Sequence, residues 1–125
     1  MTLVDTDVLI WNFRGNPRAA KLLDGERFAL SAVTYMELLQ GLRDKTELQT
    51  LRRALRFWQA ETVHINEEIS ARAMFLVEEY ALSHNMQMAD ALIAASALYL
   101  GSPLLTANDR HYRHITDLSI KLFRP

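Results

Sequence analysis

Four carboxylates, Asp5, Glu37, Asp90 and Asp109, stand where a solvated acid is not the natural choice. Asp5 directly follows Thr2-Leu3-Val4, a short apolar run that suits a buried strand. In open α/β sheets, ligands bind in the crevice at the carboxyl ends of the strands. Asp109 comes shortly after a similar run, Leu104-Leu105-Thr106, and projects from the same edge if the two strands are parallel. Asp90 is the sole charged residue between Met86 and Leu100, in the first turn of a helix apolar nearly all round. Glu37 sits among Tyr35, Met36, Leu38 and Leu39. Singly, each has an ordinary reading: a turn residue or cap for Asp5 and Asp109, a complement to the helix dipole for Asp90, a solvated helix position for Glu37. Together, at the ends of successive elements, they argue for convergence.

Convergence has a cost that defines the chemistry. Two carboxylates about 4 Å apart repel by roughly 4 kcal/mol at an effective dielectric near 20. Protons or cations must offset that charge. Oxygen ligands without cysteine point to a hard cation, Mg²⁺ or Mn²⁺. Such an ion lowers the pKa of a bound water and stabilises charge on a phosphodiester.

The elements that must position these acids read as an alternation of short strands and helices. After Thr2-Leu3-Val4, Val8 to Phe13 forms a helical turn or two, broken at Gly15-Asn16-Pro17. Pro17 opens a helix through Leu23. Phe28-Ala29-Leu30 is a second strand, and Ser31 and Thr34 are candidate caps for a helix over Val33 to Leu42. Thr46-Glu47-Leu48-Gln49 reads as a capping box, followed by Leu48, Leu51, Leu55 and Trp58 at helical spacing. Thr62 to Ile65 is a third strand. Asn66 caps a helix with a stripe of Ile69, Ala73, Leu76, Val77, Tyr80 and Ala81. A helix from about Met88 to Leu100 closes at Gly101. Leu104 to Thr106 is a fourth strand, Asn108 to His114 a short turn or helix, and Ile120 to Leu122 a last strand. This pattern predicts an α/β domain whose small, mostly parallel sheet is flanked by helices.

The 125 residues suit a single domain spanning 1–125. Half the residues are hydrophobic and 23% are charged, a globular balance. Cysteine is absent, which excludes disulfides and thiolate metal sites. No signal-like segment opens the chain, and the most apolar stretch is too short to span a bilayer, so a cytoplasmic protein without a membrane partner is expected. The net charge of −1 does not announce a nucleic-acid binder, so that reading must rest on local sites.

Four segments carry a family resemblance. Leu3-Val4-Asp5-Thr6-Asp7-Val8-Leu9-Ile10, Ser31 through Gly41 with Glu37, Ala89-Asp90-Ala91-Leu92-Ile93-Ala94-Ala95-Ser96-Ala97, and Leu104-Leu105-Thr106-Ala107-Asn108-Asp109 resemble, in order and spacing, the motifs of PIN-domain proteins of the VapC toxin type. The resemblance spans almost the whole chain. It implies a three-layer PIN fold with strand order roughly 3-2-1-4-5 and an acidic site that binds Mg²⁺ or Mn²⁺ and cleaves RNA. It implies catalytic roles for Asp5, Glu37, Asp90 and Asp109, with Asp5, Asp90 and Asp109 as metal ligands. Thr6 and Thr106 match family hydroxyls near the site. Asn108 and Arg110 are candidates for substrate contact. Asp7 stands where relatives often have Asn or Ser, and a cap for the first helix is favoured over an inward-facing acid. Relatives of this type act as dimers held by a cognate antitoxin, which implies a homodimer and an antitoxin partner here.

Arg43, Lys45, Arg52, Arg53 and Arg56 suit either RNA phosphates or a solvated helix face. Arg110, Arg113 and Arg124 lie nearer the acids. His111 and His114, three residues apart, have zinc-ligand spacing but no partner pair. Trp11, Phe13, Phe57 and Trp58 suit either core or a groove for an antitoxin helix. Met74, Met86 and Met88 read as core filling. Two alternatives to a toxin stand: an RNA-processing nuclease of the same fold, and a phospho-acceptor receiver module, which needs acids and a lysine that this chain does not place correctly.

Overall fold

The computed structural model describes residues 1–125. In chain order the elements are β1 (Thr2–Val4), α1 (Thr6–Phe13), α2 (Pro17–Gly25), β2 (Phe28–Ser31), α3 (Ala32–Gln40), α4 (Lys45–Trp58), β3 (Glu61–Val63), α5 (Glu67–His84), α6 (Met88–Leu100), β4 (Leu104–Thr106), a 3-10 turn over Asp109–His111, and β5 (Ile120–Leu122). The five strands form one sheet in the order β3-β2-β1-β4-β5, and every pairing is parallel. The fold is therefore the expected three-layer α/β sandwich. No helix is long and apolar enough to cross a membrane.

Alternation along the strands builds the layers. Leu3, Ala29 and Leu104 enter one core with Ile69, Ala73 and Leu76 of α5, the alanine-rich side of α6, and Tyr112, Ile115 and Leu118. Val4, Phe28, Leu30 and Leu105 enter the opposite core with Val8 and Leu9 of α1, Ala19 and Leu23 of α2, and Leu51 of α4. The central strands β1, β2 and β4 are thus buried on both faces, which explains why they read as continuous apolar runs, while the edge strands β3 and β5 are largely exposed. The same period of two places the residues that end the strands. Asp5 and Thr106 follow Leu3 and Leu104 by two positions, so they share the face covered by α5 and α6.

The bounds of α6, β4 and β5 agree with the sequence reading, and Asn66 and Ser31 cap α5 and α3 as expected. Gly101 ends α6 at φ 63°, a left-handed conformation that favours glycine. Four local expectations are corrected. Helix α4 starts one residue before Thr46 and is capped by Asp44, whose carboxylate accepts from Glu47 N, so Thr46 opens no capping box. The third strand covers Glu61–Val63 rather than Thr62 to Ile65, because its pairing with β2 runs out at Ser31↔Val63. Thr34 lies inside α3 rather than at its cap. Met74 and Met88 are exposed at 63% and 74%, and only Met86 fills core.

Helix α6 carries Asp90 and packs Ala91, Ala94, Ala95 and Ala97 with no exposure. Small side chains let it lie close to α5 and the sheet, so added volume has nowhere to go. Ala94→Leu is expected to lower the unfolding free energy by about 1–3 kcal/mol, measured by urea denaturation. A variant as stable as wild type would show that this layer has slack.

Candidate active site

The site begins with the β1–β4 ladder. Leu3 N donates to Pro103 O and Asp5 N to Leu105 O, both at 2.9 Å, which sets Asp5 against the end of β4. Asp5 also caps α1: its Oδ1 accepts from Thr6 N at 2.8 Å. Its Oδ2 accepts from the Thr106 hydroxyl at 2.9 Å. That hydroxyl also reaches Asp7 Oδ2 at 3.4 Å and accepts from Asn108 N at 3.0 Å. Thr106 is fully buried and joins both ends of the chain at one atom.

Asp7 turns inward. Its Oδ2 accepts from Ala107 N at 3.1 Å, and its Oδ1 is buried with no partner. The cap expected of Asp7 is supplied by Asp5, leaving Asp7 in the first turn of α1, facing β4.

Asp90 joins from α6. Its Oδ1 accepts from the Tyr112 hydroxyl at 3.2 Å, and its Oδ2 lies 3.0 Å from His111 Nδ1. His111 Nε2 faces the Asn108 side-chain amide at 3.1 Å. Tyr112 is fully buried, and burial together with the nearby Asp5 and Asp90 carboxylates raises the pKa of its phenol. Glu37, on the exposed side of α3, reaches the site through Thr6, whose hydroxyl donates to Glu37 Oε1 at 2.7 Å and shares a 3.0 Å bond with Thr34. Asp109 opens the 3-10 turn half-buried, and its carboxylate makes no hydrogen bond to the other acids. Arg110 beside it is exposed.

The structure thus brings Asp5, Asp7, Asp90, Thr6, Thr106, Asn108 and Glu37 into one hydrogen-bonded network, with Asp109 and Arg110 on the adjoining turn. Tyr112 and His111 are members that the motif spacing did not single out. Both lie in an irregular segment without periodicity, and only their nearness to Asp109 marks them. The His111–His114 pair separates: His114 stacks on His84 at 4.4 Å, while His111 turns to Asp90. Of the basic stretch, Arg43 is held by Glu47 at 2.8 Å and the rest is exposed. Trp58 packs on Phe28 and Phe13 with its Nε1 donating to Asp24, whereas Phe57 is exposed.

Burial and the neighbouring Asp7 push the Asp5 carboxyl up to about 7, despite the opposing hydrogen bonds from Thr106 and Thr6. Burial raises Asp7 as well. These are acids short of positive charge. Their donor set suits a hard divalent cation, and the orphaned Asp7 Oδ1 is a buried oxygen in need of a partner. The carboxylates are held by hydroxyls and amides, and no three acidic or histidine side chains stand ready as a metal cage.

A parallel α/β sandwich with acids gathered at the strand ends is the architecture of a PIN domain. Residues 2–118 match the PIN domain family model, and the chain belongs to that family. It is 36% identical to ribonuclease VapC19 of Mycobacterium tuberculosis over 94% of this chain and 97% of the relative. It is 30% identical to ribonuclease VapC1 of Methanocaldococcus jannaschii over 97% of this chain and 85% of the relative. Among solved structures it resembles a toxin–antitoxin complex from Klebsiella pneumoniae, with a TM-score of 0.80 and 28% identity over 94% of this chain and 95% of that one.

The raised Asp5 carboxyl has a consequence for stability. Its folded pKa of about 7 lies above the unfolded value of 3.8, so folding takes up a proton. The associated stability is fully present below the unfolded value and is lost as pH rises through about 7. His114, whose pKa is lowered by burial, acts in the opposite sense. The difference between wild type and Asp5→Asn therefore isolates Asp5. In EDTA, Asp5→Asn is expected to gain stability relative to wild type between pH 5 and 8, on the order of a few kcal/mol, read by chemical denaturation across that range. A pH-independent difference would contradict the burial of charge at Asp5.

Proposed function

We propose that this protein is an endoribonuclease dependent on Mg²⁺ or Mn²⁺, and the toxin of a toxin–antitoxin pair acting in the cytoplasm. The observation that carries this is the gathering of buried Asp5 with half-buried Asp7 and Asp90 at the carboxyl edge of a parallel sheet. The kinship with VapC ribonucleases supports RNA as the substrate.

Asp5 and Asp90 would hold the cation, with Asp7 and Asp109 flanking it. A cation there would supply positive charge at the scissile phosphodiester and an acidified water as nucleophile. The chain's own contribution is preorganisation. Thr106 fixes the Asp5 carboxylate, Thr6 fixes Glu37 beside the edge, and His111 with Asn108 borders the opening towards solvent. Purified protein is expected to cleave RNA with Mg²⁺ or Mn²⁺ and to stop in EDTA. Asp5→Asn should lower the rate by at least about 100-fold, since loss of a ligating group exceeds the cost of losing its supporting contacts. Metal-independent cleavage, or an active Asp5→Asn protein, would sink the assignment.

The partner has a place to dock. A groove of about 590 Å³ that includes Glu37 is lined by Ile10, Phe13, Leu38, Leu42 and Leu51 from α1, α3, α4 and the α3–α4 loop, together with Arg14, Arg43 and Glu47. Its apolar walls suit the anchors of an amphipathic helix. The likeness to a toxin–antitoxin complex supports an antitoxin as that helix's source. A homodimer belongs to the same reading, with exposed Met74, Phe75 and Leu82 of α5 leaving apolar surface available. Ile10→Asp is expected to weaken capture of the co-expressed antitoxin by about 10-fold or more while RNA cleavage persists. Undiminished capture would place the partner elsewhere.

A further inference from the structure

Tyr112 heads the fully buried side chains by size, yet its hydroxyl meets the Asp90 carboxylate rather than a backbone carbonyl. The turn that delivers it is tightly built. Tyr112 N donates to Asp109 O at 2.9 Å, and Ile115 N donates to Tyr112 O at 3.0 Å. The ring packs in the α5–α6 core beside Ile115 and Leu118, so the phenol enters the site from below on a rigid support. A purely apolar role at such a position is better served by Phe, which buries no polar atom.

We propose that Tyr112 is a positioning residue whose hydroxyl orients the Asp90 carboxylate for capture of the divalent cation. This rests on the metal-dependent reading above. The phenol contacts Asp90 Oδ1 while His111 occupies Oδ2, so both oxygens of that carboxylate are oriented. Thr106 does the same for Asp5 Oδ2. A carboxylate oxygen that accepts one hydrogen bond keeps a further lone pair for a cation. A neutral phenol suits the task because it orients Asp90 without bringing a positive charge to compete with the metal. A lysine or arginine there would neutralise the acids and remove their reason to bind. Contacts that orient metal ligands in this way are commonly worth 10–100-fold in affinity or activity.

The test is Mn²⁺ binding by metal-free protein in the absence of RNA, followed by electron paramagnetic resonance of the free ion, for wild type and Tyr112→Phe. The Phe variant is expected to fold, as its ring is retained, and to bind Mn²⁺ about 10-fold or more weakly. The Mn²⁺ concentration for half-maximal RNA cleavage should rise by the same factor, while the rate at saturating Mn²⁺ is retained. Tyr112→Leu serves as the packing control and should lose stability through its missing ring. Mn²⁺ affinity in Tyr112→Phe equal to or tighter than wild type would overturn the proposal and leave the nuclease reading intact. So would a Phe variant that cannot fold, because the hydroxyl would then serve the core. A wild-type protein that binds no Mn²⁺ would remove the metal reading itself, and the role of Tyr112 with it.

Discussion

The parallel pairing of β1 with β4 is the constraint on which the site depends. It sets Asp5 against Thr106 and closes both over the same face of the sheet. Once Asp5 is fixed there, it lies out of water with a second acid two residues along the chain, and the protein must manage the resulting charge. The local hydrogen bonds follow from that need. Thr6 N, Thr106, Tyr112 and Ala107 N all donate to the acids, and none of them carries charge. A neutral cradle of this kind lowers the cost of burial without cancelling the negative potential. The acids keep their negative potential, which is what the proposed metal-dependent cleavage would draw on.

The two cores stabilise this arrangement from opposite sides. The core under α1, α2 and α4 secures Val4 and Leu105, and the core under α5 and α6 secures Leu3 and Leu104. A slip of one residue along either strand would exchange these faces and send Asp5 and Thr106 towards the wrong layer. The register that packs the apolar residues is therefore the register that assembles the acids. Fold stability and site geometry are consequences of one pairing.

Much of this was legible in the sequence. A strand buried on both faces leaves an apolar run, so Leu104 to Thr106 could be bounded to the residue, as could the exposed edge strand Ile120 to Leu122 and α6 with its closing Gly101. The family resemblance implied the strand order and a convergence of Asp5, Glu37, Asp90 and Asp109, of which the first three share one hydrogen-bonded network. Illegible features lie where the chain has no period. Capping preference pointed to Asp7, but Asp5 already serves that function, and only the position of Ala107 N reveals why Asp7 faces inward. Tyr112 and His111 sit in a short irregular turn, where spacing says nothing about direction. Glu37 acts through Thr6 and Thr34, a relay between helices that no single-segment pattern encodes.

The hydrogen bond from Thr106 to Asp5 spans 101 positions of the chain. A ribosome producing this protein makes the first acid 101 residues before its buried hydroxyl partner. Until Thr106 is made, Asp5 has no such partner to close the site. For a protein whose proposed target is RNA, this order of synthesis keeps the growing polypeptide harmless to the message and machinery that are making it.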